Sequence, residues 1–149
     1  MSSNDTPSNS SLYGSKSIVK IFEKITSNEM IYQKIIELGS LNKNFPHDQI
    51  ISENLVSGCQ STVYLYSYSI DNKLFFESTS DALISSGLAF IAAKAYSGLT
   101  AEEILKTPPS FIEEIGLHSN LTPSRSNGLQ SMISLIKQKA LQHYMKTSK

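Results

Sequence analysis

The sequence predicts an α+β domain containing a small three-stranded antiparallel sheet and several helices. Three observations carry that expectation. Thr62 to Ile70 is rich in tyrosine and β-branched residues, alternates like a strand, and runs into Asp71-Asn72, a turn pair followed by a further short strand pattern. Apolar residues recur at the three-and-four spacing of a helix both near the start, at Ile18, Ile21, Phe22 and Ile25, and near the end, at Leu129, Met132, Ile133, Ile136 and Ala140. Between them, hydroxyl residues followed three positions later by glutamate, together with glycine and proline stops, divide the chain into further helices.

With 149 residues the chain suits one domain large enough to bury a core without disulfides or metals. Met1 to Ser15 is rich in Ser and Asn, with only Leu12 and Tyr13 as large apolar residues, and is expected to be a flexible tail preceding a single domain over 16–149. This tail has neither the basic start and apolar centre of a secretory signal nor the arginines of a transit peptide. Thirteen basic residues balance thirteen acidic ones, so no net field favours nucleic acid or an anionic membrane. The longest apolar stretch, Ala82 to Ala95, is interrupted by Ser85, Ser86, Gly87 and Lys94 and falls short of a membrane span. A lone cysteine, Cys59, makes no internal disulfide, and the simplest setting is a soluble protein in a reducing cytoplasm.

Taken in order, the first helix carries Ile18 to Ile25. Thr26 and Glu29 form a capping box for a second helix, with Ile31, Ile35 and Leu38 inward and Gly39 as a left-handed stop. Leu41 to Asp48 is a loop whose Leu41 and Phe45 tuck against the helices. The three strands are expected at Gln49–Val56, Thr62–Ile70 and Lys73–Glu77, as a meander; Val63 and Leu65 face one side while Tyr64, Tyr66 and Tyr68 face the other. Ser78 to Asp81 opens a helix rich in small residues, which lets it lie close against the sheet until Gly98 ends it. Thr100 with Glu103 and Ser110 with Glu113 cap two short helices, the second stopped by Gly116. Thr122-Pro123 then starts the long last helix, with Lys137, Lys139 and Lys146 near the end where cations suit its dipole.

Several chemistries are excluded by what the residues lack. His47, His118 and His143 lie far apart, and one cysteine is too few for a usual zinc cluster. Phosphate-cradling and dinucleotide glycine patterns are absent, as is a serine nucleophile elbow. The tyrosine-rich strand lacks neighbouring cations to hold phosphates, so it reads as packing or interface. Cys59 remains. It sits in the turn Ser57-Gly58-Cys59-Gln60-Ser61, where Gly58 permits a tight bend and the small polar flanks leave the sulfur reachable. No histidine accompanies it. A cysteine hydrolase needs a general base through its cycle, whereas a thiolate that receives and hands on sulfur needs exposure and a partner. Quiet packing of this thiol at a strand end is the plain alternative.

The stretch Asn54-Leu55-Val56-Ser57-Gly58-Cys59-Gln60-Ser61, followed by Val63 and an aromatic, resembles the SufE family of iron–sulfur cluster assembly proteins. Ser80-Asp81-Ala82 and Leu121-Thr122-Pro123-Ser124-Arg125-Ser126-Asn127-Gly128-Leu129 agree in order and spacing, and the resemblance spans about Ile18 to Ala140. Tyr64 departs from it, standing where the family commonly has tryptophan.

The resemblance implies a SufE/NifU-like fold with the sheet covered by helices. It also implies that Cys59 is the nucleophile that accepts sulfane sulfur as a persulfide, with Gly58, Gln60 and Ser61 as its supporting loop. The implied donor is a SufS-like cysteine desulfurase, whose activity the carrier stimulates; the implied acceptor is a SufBCD-like scaffold complex. Pyridoxal phosphate then belongs to the desulfurase, and this chain is expected to bind no cofactor and no metal. Nucleic acid and membrane are not expected partners, and a monomer or homodimer is compatible with the sequence. The chain would be a sulfurtransferase-like carrier and desulfurase activator more than a stand-alone enzyme. Asp81 and Arg125 match motif positions: either they border the Cys59 loop, Arg125 favouring the thiolate and Asp81 setting the loop or meeting a partner, or they are a helix cap and a surface residue. The same carrier serving another desulfurase that feeds tRNA or cofactor sulfuration, and a redox-sensing or structural binding module, remain alternatives.

Overall fold

The computed structural model describes residues 13–147. The expected tail over 1–15 lies outside the described residues as far as Leu12. Its last three residues are tied to the body: Tyr13 packs on Phe75 with ring centroids 5.3 Å apart, the Gly14 N–H donates to the Lys94 carbonyl at 2.8 Å, and Ser15 begins the first helix.

Helix α1 (Ser15–Phe22) buries Ile18 and Phe22, and α2 (Asn28–Gly39) buries Ile31, Ile35 and Leu38, as their periodicity predicts. The cap of α2 is one residue later than expected: Ser27, not Thr26, accepts from the Met30 N–H at 3.2 Å. Gly39 is also used differently. It stays in the helix, and its missing Cβ lets the backbone come against Gly87, where an added Cβ would lie 2.6 Å from the Gly87 nitrogen.

The sheet pairs β1 (Val63–Ile70) with β2 (Lys73–Ser80) and β2 with β3 (Leu99–Thr100), all antiparallel, in the order β1-β2-β3. Asp71 and Asn72 both take positive φ, 52° and 67°, which is the backbone a two-residue hairpin with the sheet's own twist requires. The third strand differs from expectation. Gln49–Val56 is not a strand: it follows a 3₁₀ turn at His47–Gln49, holds another at Ser52–Asn54 and touches the sheet through a single bridge, Leu55 to Tyr64. Side-chain bonds account for the difference. Buried Asn54 donates to both the carbonyl and the side-chain oxygen of Gln49, which curls the segment on itself.

Val63, Leu65, Leu74 and Phe76 form the inner face of the sheet. On the outer face a ladder of rings runs Phe45, Tyr66, Tyr68, Phe75 and Tyr13. Phe45 packs on Tyr64 and Tyr66, extending the apolar cover of this face.

Helix α3 (Leu83–Ala95) is buried on every side from Gly87 onward, lying on the sheet and against α2. Lys94, one of the residues that breaks the apolar stretch, is 1% exposed and pairs with Glu77 at 3.2 Å, so the sheet satisfies its charge. After α3, Gly98 at φ +83° turns the chain into β3, its N–H donating to the Leu74 carbonyl. Helix α4 (Ala101–Lys106) has the expected capping box of Thr100 and Glu103. Helix α5 (Phe111–Ile115) lacks one: Ser110 is already helical and makes no cap bond, and Gly116 ends the helix in the left-handed region before the short α6 (Leu117–Asn120).

Helix α7 (Pro123–Thr147) buries the expected stripe of Leu129, Met132, Ile133, Ile136 and Ala140. Its lysines are not all dipole partners. Lys137 donates to the Ile104 and Thr107 carbonyls and stops α4, while Lys139 donates to Asn54 at 2.6 Å. Among the described residues no helix is long and apolar enough to cross a membrane, and no cluster of His, Cys, Asp and Glu could hold a metal ion.

Candidate functional site

The Cys59 turn lies between the 3₁₀ segment and β1, where the chain must reverse after Val56 bonds back to Val63. Gly58 supplies the reversal at φ +88°, and its bare Cα also faces Ser131 of α7, whose Oγ would be 2.9 Å from an added Cβ. A side chain here would strain the backbone and push the loop off the helix.

The sulfur is less open than the sequence suggests. Gly58 and Gln60 are exposed, but Cys59 itself is half-buried because its Sγ turns inward to the Gly128 carbonyl, 3.7 Å away. Gly128 makes room for it: a Cβ at that position would sit 3.3 Å from Sγ. Burial pushes the Cys59 thiol pKa up, so the seated thiol is held neutral.

Two further bonds hold the end of the loop. Ser61 and Ser85 share a hydroxyl hydrogen bond at 2.9 Å, and the Thr62 N–H donates to Asp81 Oδ1 at 3.2 Å. Asp81 therefore braces the loop and does not cap α3, whose N-cap is Ala82 with no side-chain bond. Arg125 and Ser124, in the first turn of α7, line the same cavity as Cys59, Gln60 and Ser61. The cavity is about 310 Å³, and Leu88 and Met132 add apolar lining to it. Arg125 is thus in the cavity wall, half-buried, and not a free surface side chain.

Sequence reasoning picked out Cys59, Gly58, Gln60, Ser61, Asp81 and Arg125, and the fold gathers them within one neighbourhood formed by the turn, the start of α3 and the start of α7. Ser85, Gly128 and Leu83 were not singled out. Leu83 lines the cavity yet is 69% exposed, an apolar rim beside the thiol. A leucine next to a serine-rich helix start, and a glycine within the first turns of an otherwise regular helix, were the signals available.

The chemistry open to this arrangement is that of a weakly ionised thiol at a cavity wall with donors around it and no histidine in the lining. Alkylation of the folded chain by iodoacetamide is expected to titrate with a midpoint above that of the chain unfolded in urea. The sign follows from burial: the protonated thiol is favoured in the fold, so its stabilising contribution is complete below the unfolded pKa and is lost as pH rises through the folded one. A folded midpoint at or below the unfolded one would show that the sulfur does not rest in its seat.

The family model described as SufE, Fe-S metabolism associated domain, matches residues 16–140. An uncharacterized SufE-like protein of Synechocystis sp. is 33% identical over 124 residues, covering 83% of this chain and 78% of that protein. SufE-like protein 1, chloroplastic/mitochondrial, of Arabidopsis thaliana is 33% identical over 125 residues, which is 83% of this chain and 34% of that longer protein. In fold, the solution structure of a hypothetical protein from Thermus thermophilus agrees with a TM-score of 0.73 at 19% identity, covering 88% of this chain and 96% of that one. A family domain that runs from the first helix through most of the last, and that takes in the Cys59 turn, Asp81 and Arg125, places this chain in the SufE family.

Proposed function

We propose that this chain is a sulfur acceptor and carrier for a cysteine desulfurase in iron–sulfur cluster assembly. The observation that carries the reading is the setting of Cys59: the sole thiol of the chain lies at the wall of a cavity with hydroxyl, amide and guanidinium groups, and no histidine among the lining residues. Membership of a family described by Fe–S metabolism supports sulfur as the cargo of that thiol.

In the proposed step the desulfurase holds sulfur as a cysteine persulfide. Cys59, as thiolate, attacks the outer sulfur; that sulfur's bond to the desulfurase cysteine breaks, and the desulfurase cysteine leaves as thiolate. One S–S bond forms as another is lost, so no external oxidant or reductant is needed. Burial raises the thiol pKa of the seated Cys59, so in the proposed step release of the loop exposes the sulfur for attack and Arg125 then favours the thiolate. Asp81 and Ser85 set how tightly the loop is held. The persulfide passes next to a SufBCD-like scaffold. By clearing its product, the carrier stimulates a SufS-like desulfurase, whose pyridoxal phosphate stays with that partner. A thiol that must remain reduced between transfers suits the cytoplasm.

Incubating the full chain with a cysteine desulfurase and free cysteine should add one sulfur atom, read by intact mass and removed by dithiothreitol. A chain that stays unmodified while the desulfurase turns over would end the carrier reading. Arg125→Ala should slow acceptance; unchanged acceptance with an unchanged thiol titration would remove arginine from the step.

A further inference from the structure

The sheet has an edge that the proposed sulfur chemistry does not use. In the order β1-β2-β3, β1 is outermost. The two-residue hairpin pairs Ile70 with Lys73, so Tyr64, Tyr66 and Tyr68 exchange backbone bonds with β2, while Val63, Leu65, Ser67 and Ser69 direct theirs the opposite way. The Val56 N–H, which reaches the Val63 carbonyl from outside the sheet at 2.9 Å, fixes that direction independently. Beyond the Leu55–Tyr64 bridge, no backbone among the described residues pairs with this edge. Leu65 is covered, but Ser67 is half-buried and Ser69 exposed.

Helix α7 forms the facing wall. Along the flank of its buried apolar stripe, Lys139, Gln142, His143 and Lys146 recur at the three-and-four spacing and, with Ser67 and Ser69, line a cavity of about 220 Å³. An adjoining cavity of about 440 Å³ continues past Gln49 and Gln138, with Glu53 as its one carboxylate. The trough is thus cationic, and among the described residues neither Lys139 nor Lys146 forms a salt bridge. Lys139 donates to the neutral Asn54 oxygen; burial lowers its pKa more than the nearby Glu53 carboxylate raises it, so a further carboxylate brought beside it would be favoured. The glutamine amides each offer a donor and an acceptor, as an extended backbone requires.

We propose that the trough between the edge of β1 and the C-terminal half of α7 binds an extended acidic segment of another protein, which adds to the sheet as a strand outside Ser67 and Ser69. Backbone bonds to the two serines supply affinity, and carboxylates spaced two residues apart toward the helix meet Lys139 and Lys146. A third cavity shares Glu53, Leu135 and Gln138 with the trough and ends at Ser57 and Ser131, the serine that backs Gly58. The trough thus continues toward the back of the Cys59 turn, although binding in it does not depend on sulfur transfer.

The test is selection of phage-displayed twelve-residue random peptides on the full wild-type chain. Ser67→Pro, which removes an outward N–H that makes no ladder bond, serves as counter-target, with its fold checked by thermal unfolding. Enriched peptides are expected to alternate Asp or Glu with β-branched residues and to shift the Ser67 and Ser69 amide resonances. They should bind Ser67→Pro about tenfold more weakly, the scale of one lost backbone bond. Should Ser67→Pro fail to fold, Lys139→Gln combined with Lys146→Gln decides the matter and should weaken binding by a similar factor. No enrichment, enriched peptides without acids, resonance shifts confined elsewhere, or a homodimer of the chain that uses this edge would each overturn the proposal.

Discussion

Cys59→Ser is expected to keep the fold and lose all sulfur acceptance. The fold survives because the thiol, at the edge of the core, is held by a weak bond from Sγ to the Gly128 carbonyl at 3.7 Å, and a serine hydroxyl fits the same seat. Stability should change by no more than about 1 kcal/mol, the usual worth of one neutral hydrogen bond, which thermal unfolding will show. Acceptance is lost because the hydroxyl has neither the nucleophilicity nor the leaving-group chemistry of sulfur exchange. Two readouts separate the roles proposed for this residue. Intact mass after incubation with desulfurase and cysteine reports the adduct, and the desulfurase's alanine release reports stimulation. Both should fall to the level seen without carrier. An adduct that persists on Cys59→Ser would move the acceptor atom elsewhere. Stimulation that persists without an adduct would make the chain an activator by docking alone, with Leu83 and the cavity rim as the surface to examine.

The elements written locally in the chain were legible, and those made by distant contacts were not. The Asp71-Asn72 hairpin, the Thr100–Glu103 box and the inward stripe of α7 each need only neighbours three or four residues away, and each is found. The third strand was misplaced for the opposite reason. Leu99–Thr100 is too short to show a period, whereas Gln49–Val56 shows an apolar pattern but is curled by Asn54, whose partners Gln49 and Lys139 settle its shape only once α7 is in place. At the candidate site the turn was readable from Gly58 and its neighbours. The depth of the sulfur was not, because it is set by Gly128, 69 residues away. Asp81 has the composition of a helix cap and becomes a loop brace because Thr62 comes within reach of its carboxylate.

Gly87→Ala is expected to destabilise the domain by about 3 kcal/mol or more, at or above the upper end of the usual cost of core overpacking. Judged by helix propensity alone the sign would be reversed, since alanine in a helix interior is favoured over glycine by roughly 1 kcal/mol. The crossing of α2 and α3 decides otherwise. An added Cβ would stand 2.0 Å from the Ile35 carbonyl oxygen and 2.4 Å from its Cγ2, and no rotamer change moves a backbone oxygen. The two helices would have to separate, loosening Ile35 and Leu38 on one side and Leu88 and Ile91 on the other, all buried. Gly128→Ala is the control, because its Cβ would meet a side chain, Cys59 Sγ at 3.3 Å, that can rotate away; about 1 kcal/mol or less is expected there. Urea denaturation of both variants checks the contrast, and a Gly87→Ala midpoint equal to wild type would show that the helices do not cross in this way. The consequence reaches the thiol as well: Ser85 and Leu88 stand on α3 on either side of Gly87 and line the Cys59 cavity, so displacing α3 loosens the Ser61–Ser85 bond that holds the end of the Cys59 loop.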